Sequence, residues 1–187
     1  MQTARLQLQL ARLEHADSLW QTLIANRTFL APYLPSKPQD YTHSGVKTEL
    51  AEYEMYAHWD KAYRYFLFTQ DELIGEVSFN SVVRSFFQNA HLGYWLSKDK
   101  NGKGYMQEAL DLLIPYAFFH LHFHRIEAAT LTTNHRSMAV LRKQGFRHEG
   151  MAKNYLHIAG RWQDHHLFAR TNDRNTPSMP AFEQAHQ

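Results

Sequence analysis

The chain has 187 residues, 44% of them hydrophobic, so it is long enough and apolar enough to fold as one domain around a core. Its formal net charge of +2 is too small to indicate a nucleic-acid-binding protein, and the absence of cysteine excludes disulfides, cysteine-ligated zinc and a cysteine nucleophile. The N-terminus has no apolar signal region and no apolar run approaches about 18 residues, so we expect a cytoplasmic protein with no membrane partner.

The first third of the chain predicts a strand and two helices. Leucine alternates with glutamine or arginine within 5–12, a spacing typical of a strand. Apolar residues at helical spacing predict a helix over 14–29. Three prolines within 32–38 then predict a loop, and a second helix is expected over 44–59.

The middle of the chain predicts three strands, a glycine-rich turn and a helix. Two strands joined by a turn are expected within 65–79, and a third over 90–96. The glycine-rich turn Asn101–Met106 follows, and the helix after it extends to about Leu121. Pro115 lies inside this helix, where proline costs ~3 kcal/mol, so we expect a kink or a shorter helix.

The last third predicts a strand over 125–132, a short helix over 134–144 and a closing hairpin over 155–169. Strands with helices between them indicate an α/β or α+β fold class. Residues 1–170 are therefore predicted to form a single domain, and 171–187 a mobile polar tail.

The glycine-rich turn has chemistry that suits an anion. Gly102 and Gly104 let the backbone approach a ligand without a Cβ in the way. The N–H groups at the start of the following helix are unpaired, and the helix dipole adds positive potential there. Lys103 adds a charge that could contact a phosphate. Taken alone, such a turn is more often an ordinary connection than a phosphate site.

Several segments in a fixed order resemble one family. The order is similar to that of the GNAT superfamily of N-acetyltransferases, and more narrowly to its RimJ/RimL branch of ribosomal-protein N-terminal acetyltransferases, with RimJ the nearer. The resemblance covers roughly residues 5–170. The segments that carry it are Asn26–Pro32, Phe79–Arg84, Asn101–Met106, Asn134–Ser137, Val140–Phe146, Glu149-Gly150 and Gly160–His165.

The resemblance implies a fold, a reaction and a binding site. The implied GNAT fold is a mixed, mainly antiparallel twisted sheet, splayed at the acetyl-CoA site, with helices on both faces. The implied reaction is direct, metal-free transfer from acetyl-CoA to a protein N-terminal α-amine, such as the N-terminal alanine of a ribosomal protein. No nucleic-acid partner is expected, and the chain is expected to be a monomer or homodimer. The implied cofactor-binding residues are Trp95, Leu96, Asn101, Gly102, Lys103, Gly104, Tyr105, Met106 and Asn134.

Ser137 is the acid that the resemblance implies. Relatives place a hydroxyl near the CoA sulfur at this step, and a thiolate whose thiol has a pKa of roughly 8.5 leaves more readily with a proton donor. The alternative is that Ser137 serves only the start of its helix. Asn134 likewise has two possible roles, as a contact to the cofactor or as the N-cap of its helix.

The general base is harder to assign from sequence. RimL-like relatives carry an acidic residue at the position of Asn154, and an amide cannot accept the proton. We therefore take Glu127 as the predicted base, with Glu76 as the other acidic candidate and His91 and His157 as more distant ones. A weak base suits an α-amine, which is roughly a quarter neutral at about pH 7.4, whereas a lysine amine is about 0.1% neutral.

One further departure, together with the amide at Asn154, leaves other functions open. Asp99 stands where the family has Gln or Arg, which is unfavourable beside a pyrophosphate. The alternatives are an acetyltransferase of a small amine, such as a polyamine, antibiotic or amino acid, and a non-catalytic CoA-binding ribosome assembly factor. Six aromatic residues lie in segments that the family uses near its acceptor channel. They are expected either to line a peptide groove or to belong to the core: Trp20, Phe29, Tyr33, Trp59, Phe86 and Phe87.

Overall fold

Seven strands and four helices are seen in a computed structural model that describes residues 1–34 and 41–172. The strands form one sheet in the order β1-β2-β3-β4-β5-β7-β6, and only β4 and β5 are parallel. The strands are β1 (Gln7–Leu10), β2 (Tyr63–Thr69), β3 (Glu72–Val83), β4 (Asn89–Leu96), β5 (Arg125–Leu131), β6 (Arg147–Ile158) and β7 (Arg161–Thr171). The helices are α1 (Ala16–Leu30), α2 (His43–His58), α3 (Tyr105–Phe119) and α4 (His135–Lys143).

The helices cover both faces of the sheet. Along β2, Tyr65 and Leu67 belong to the core that contains α3 and α4, whereas Phe66 and Phe68 belong to the core that contains α1 and α2. This split follows from the period-two alternation of side chains along a strand, and it explains why β2 is apolar on both sides. The predicted mixed, mainly antiparallel sheet with helices on both faces is confirmed.

The sheet opens between β4 and β5. These strands pair over three positions only, 89–91 on β4 against 125–127 on β5. Past them, β4 continues to Leu96 beside β3, and β5 continues to Leu131 beside β7. Backbone groups of β4 that point toward β5 therefore lose their strand partner beyond His91, and a gap opens at the point where the glycine turn follows.

The final hairpin is longer than the sequence indicated. β6 begins at Arg147 rather than at 155. The sequence pattern does not reveal its early residues, because most of them are exposed and the pairing of β6 with β7 is interrupted by two register shifts. β7 ends at Thr171, and the N–H of Asn172 donates to the His124 carbonyl over 2.8 Å. The predicted tail thus begins too early at 171, and its remaining residues lie outside those described.

The helix α3 also departs from its predicted end. It runs through Pro115 and ends at Phe119, which agrees with the expectation of a shorter helix. None of the helices within 1–34 and 41–172 is both long and apolar enough to cross a membrane.

Candidate active site

Two cavities meet at the gap between β4 and β5. The turn chamber, about 400 Å³, lies over the glycine turn and is lined by Gly102 and Gly104. The β3 chamber, about 590 Å³, lies against β3 and α2 and is lined by Glu49 and Glu76. Reactants that entered from opposite sides would meet at the wall that both chambers share, formed by Tyr33, Tyr94, Trp95, Asn134 and Ser137.

The glycine turn has the backbone geometry of an anion cradle. Gly102 and Gly104 have φ angles of +76° and +81°, a region that favours glycine. The first hydrogen bond of α3 runs from the Glu108 N–H to the Gly104 carbonyl over 3.0 Å. The N–H groups just before Glu108 therefore have no acceptor within the helix, and they can bind a phosphate at its positive end.

Side chains from elsewhere hold the turn in shape. Arg5 Nη1 donates to the Lys103 carbonyl over 2.9 Å, and Arg5 Nε donates to Glu108 Oε2 over 2.6 Å. On the other side, Asn101 Nδ2 donates to the Ser97 carbonyl over 2.7 Å. The cradle is thus formed by protein contacts alone, which lowers the entropic cost of ordering it on binding.

The charges around the turn differ from those expected. Asp99 is exposed beside Lys100, at 3.5 Å, and it does not line the turn chamber, nor does the side chain of Lys103. Arg136 and Lys143 of α4 line it instead. Sequence reasoning missed both, although their seven-residue spacing places them on one face of the helix that follows Asn134.

Eight of the nine predicted cofactor-binding residues line the turn chamber, and Lys103 is the exception. Trp95 and Leu96 do so at the end of β4, where they stand opposite Glu76 and Gly75 of β3. The eight are Trp95, Leu96, Asn101, Gly102, Gly104, Tyr105, Met106 and Asn134.

Ser137 and Asn134 lie together at the shared wall with a third residue, Tyr94. Asn134 Oδ1 accepts the Ser137 N–H over 3.2 Å, so Asn134 is the N-cap of α4 as well as part of the wall. Ser137 Oγ lies 2.9 Å from Tyr94 Oη. Burial raises the pKa of Tyr94 to about 12, so its hydroxyl stays protonated near neutral pH. Sequence pattern does not predict this contact, because Tyr94 and Ser137 lie on different elements.

The structure does not bring Glu127 to the shared wall. Glu127 Oε1 accepts from Arg125 Nε over 2.6 Å, and Glu127 Oε2 lies 3.3 Å from His91 Nε2. It borders a separate cavity of about 70 Å³ and lines neither chamber. The reason is its register: Glu127 stands opposite His91 at the last paired position before the gap opens.

Glu76 occupies the β3 chamber. Its side chain is 12% exposed, and Arg64 Nε lies 3.7 Å from Glu76 Oε1. Arg64 also pairs with Glu49 at 2.7 Å, and its guanidinium lies over the Tyr53 ring at 3.6 Å. Burial raises the pKa of Glu76; Arg64 opposes the rise and Glu49 supports it, and the net direction is upward.

Asn154 lies outside both chambers. It is a positive-φ residue of β6 (φ +50°), its N–H donates to Asp164 Oδ1 over 2.8 Å, and Tyr155 beside it lines the β3 chamber. His157 lines neither chamber and its ring contacts Trp162.

Of the six aromatic residues predicted near an acceptor channel, Phe29 and Tyr33 line the turn chamber, and Tyr33 also lines the β3 chamber. The other four line neither chamber: Trp20, Trp59, Phe86 and Phe87.

Comparison with known proteins decides the family. Residues 5–147 match the family described as acetyltransferase (GNAT) domain. The chain belongs to this family. It is 41% identical over 150 residues to the probable N-acetyltransferase YjcK of Bacillus subtilis, covering 79% of this chain and 83% of that protein. It is 37% identical over 172 residues to the [ribosomal protein uS5]-alanine N-acetyltransferase of Escherichia coli, covering 89% of each chain.

Solved structures support the same fold. The ribosomal-protein-S5-alanine acetyltransferase of Vibrio fischeri matches with a TM-score of 0.89 and 32% identity over 95% of this chain and 98% of that one. Mycobacterium smegmatis RimJ, solved with CoA-disulfide, matches with a TM-score of 0.84 and 26% identity over 89% and 81%. This GNAT enzyme is thus an N-acetyltransferase, its acetyl donor is acetyl-CoA, and the predicted fold and family are confirmed.

Proposed function

We propose that this GNAT enzyme acetylates the N-terminal α-amine of a ribosomal protein, with alanine as the acceptor residue, in a ternary complex in the cytoplasm. The acceptor is supported by the 37% identity to the uS5-alanine enzyme, which extends over 89% of both chains. The observation that carries the reaction is the shared wall, where a donor in the turn chamber and an amine in the β3 chamber would meet.

The turn chamber has the hydrogen-bond donors and positive charges that suit the phosphates of acetyl-CoA. The N–H groups after Gly102 and Gly104 would hold the pyrophosphate, and Arg136 and Lys143 would add positive charge to it. Asn134 is part of the shared wall, at the position suited to the pantetheine arm. When bound, acetyl-CoA supplies an acetyl thioester whose thiol group leaves.

The residues of the wall then assist acyl transfer. Backbone N–H groups of β4 near Trp95 and Leu96, freed by the gap, would polarise the thioester carbonyl. Ser137 Oγ would donate its proton to the departing sulfur, and the Tyr94 hydroxyl at 2.9 Å would stabilise the serine oxygen as it does so. Holding donor and amine in one geometry supplies much of the remaining rate enhancement.

The acceptor can be tested on natural substrates. The purified enzyme is incubated with acetyl-CoA and the proteins of a bacterial small ribosomal subunit that lack N-terminal acetylation, and N-termini are read by mass spectrometry. We expect one alanine-starting ribosomal protein to gain a single acetyl group at its α-amine. A reaction confined to lysine side chains, or no acetylated ribosomal protein at all, would contradict the proposal.

Small amines are the competing acceptors. Glu49 and Glu76 line the β3 chamber, which favours cations, but Arg64 lies between them and leaves one net negative charge among the three. One charge suits a single α-ammonium better than a polyamine. Turnover on an alanine-starting peptide should therefore exceed turnover on spermidine, and the opposite order would favour a polyamine acetyltransferase.

A further inference from the structure

Glu76 is the carboxylate of the β3 chamber that stands next to the reaction wall. It pairs across the β3–β4 ladder with Trp95, which is itself part of that wall. Its side chain is 12% exposed and lines the chamber, so a small amine can reach it while bulk water is largely excluded. The other carboxylate of the chamber, Glu49, has a more exposed side chain, at 32%, and already accepts a hydrogen bond from Arg64 Nη2 over 2.7 Å.

Arg64 lies closer to Glu49 than to Glu76. Its hydrogen bond goes to Glu49, and its 3.7 Å approach to Glu76 is an ion pair without a hydrogen bond. Among the described residues Arg64 Nε has no hydrogen-bond partner, although the side chain is 8% exposed. The Tyr53 ring covers the guanidinium at 3.6 Å. Glu76 is thus oriented by a fixed cation that only partly neutralises it.

We propose, resting on the acetyl transfer proposed above, that Glu76 is the general base that takes the proton from the acceptor ammonium, and that Arg64 and Glu49 are positioning residues that orient it. One ammonium proton passes to a Glu76 oxygen, and the freed nitrogen forms its bond to the acetyl carbon as the carbon–sulfur bond breaks. The sulfur takes the Ser137 proton. The second proton released by the nitrogen returns to Ser137 through solvent, and Glu76 releases its own proton after the product leaves.

The charges around Glu76 support this role. Burial is the main cause that raises the pKa of Glu76, Arg64 and the Trp95 indole oppose it, and Glu49 adds to it. A raised pKa makes the carboxylate a stronger base for an amine whose own pKa is about 7.7–8.0. Besides Glu76, the titratable or charged groups that line the β3 chamber are Tyr33, Tyr41, Glu49, Tyr53, Arg64, His91, Tyr94, Tyr155 and His165.

The direct test compares Glu76→Gln with the wild-type enzyme across pH on an alanine-starting peptide. Without the base the variant can react only with amine that is already neutral. The neutral fraction of the amine grows about tenfold per pH unit below the amine pKa. We expect kcat/KM to fall about 100-fold near pH 7 and the deficit to shrink to about tenfold or less near pH 9. A deficit of equal size at every pH would mean a structural role and would overturn the assignment.

A matched arm tests the carboxylate that the sequence favoured. Glu127→Gln removes a carboxylate that is also held by an arginine but lies outside both chambers. We expect its deficit, if any, to be the same at all pH values. A pH-dependent deficit in Glu127→Gln and not in Glu76→Gln would move the base to Glu127.

Glu49→Gln tests the positioning residues. Removing the Glu49 charge lowers the pKa of Glu76, because Glu49 raises it, and frees Arg64 to pair with Glu76 alone. The base must be ionised to act, so the acid limb of the kcat/KM profile should move to lower pH. A limb that stays in place or moves upward would contradict the role of Glu49.

The failures of the two proposals can be told apart by calorimetry and by substrate. Acetyl-CoA affinity measured by calorimetry should be unchanged within about threefold in Glu76→Gln, which also shows that the variant is folded. If the wild-type enzyme binds acetyl-CoA but acetylates no N-terminal amine, the proposed function fails. If it acetylates the peptide and Glu76→Gln does so with a pH-independent deficit, only the assignment of the base fails.

Discussion

At the scale of single residues, the proposed acid Ser137 is in contact with Tyr94 at the shared wall. Ser137 Oγ lies 2.9 Å from Tyr94 Oη, and the raised pKa of Tyr94, about 12, keeps that hydroxyl protonated. A neutral hydroxyl can stabilise negative charge on the serine oxygen as the serine proton leaves. The helix α4 positions Ser137, and β4 positions Tyr94, so the contact depends on how those two elements pack.

Ser137→Ala should lower kcat and spare acetyl-CoA binding. General acids contribute about 10²–10⁴-fold, and a thiolate is a good leaving group, so we expect a loss near the low end, about 100-fold. Tyr94→Phe should lose less, about tenfold, because it removes only support for the serine oxygen. Both are measured by release of free CoA under saturating peptide.

Ser137→Thr is the control, since it keeps a hydroxyl at that position, and it should recover part of the rate. An unchanged kcat in Ser137→Ala would show that another group protonates the sulfur.

At the scale of elements, two glycines hold the site in different ways. A Cβ added to Gly75 on β3 would lie 2.3 Å from the Trp95 carbonyl, so β3 and β4 could not keep their spacing. A Cβ on Gly102 would meet nothing within 4 Å, but its φ of +76° is strained for any L-residue. One glycine is required for close approach of two strands, and the other for backbone conformation.

These two roles predict different costs. Gly75→Ala should lower the free energy of unfolding by about 3 kcal/mol, since two backbones must separate. Gly102→Ala should lower it by about 1 kcal/mol, the strain of a left-handed residue. Urea unfolding of both variants measures the difference. A smaller loss for Gly75→Ala than for Gly102→Ala would show that the strands can shift without cost.

At the scale of the whole molecule, the gap exists because β4 and β5 pair over only three positions. The helices on either face then enclose the gap, with α4 closing the turn chamber and α2 closing the β3 chamber. A ligand in the gap adds contacts between halves of the sheet that do not pair with each other there. Binding should therefore stabilise the folded state as a whole.

Acetyl-CoA should raise the melting temperature. At about 100 times its Kd, a ligand that binds only the folded state adds about 2.7 kcal/mol. For a chain of this size the shift is about 5–10 °C. The double variant Arg136→Ala, Lys143→Ala should lose most of the shift at the same ligand concentration. An equal shift in that variant would show that the two cations do not contact the ligand.

Most elements could be predicted from local pattern, and the errors have physical causes. The strand 65–69 and the helix 14–29 carry strong apolar periodicity, and both were found within two residues of the observed ends. β6 lacked such a pattern because its side chains are mostly exposed and its ladder contains two register shifts. Sequence pattern places Glu127 on a strand beside the site, but it does not predict at which position the β4–β5 pairing ends.

The cofactor end of the site could be predicted from the sequence, because the glycine turn, the start of α3 and the Asn134–Ser137 segment are short-range features. The proposed acceptor end depends on tertiary contacts. Glu49, Arg64, Glu76 and Trp95 come from α2, β2, β3 and β4, and only sheet register and helix packing bring them together. Local chemistry fixes a backbone cradle, whereas a base and its partners depend on contacts between residues that lie far apart in the chain.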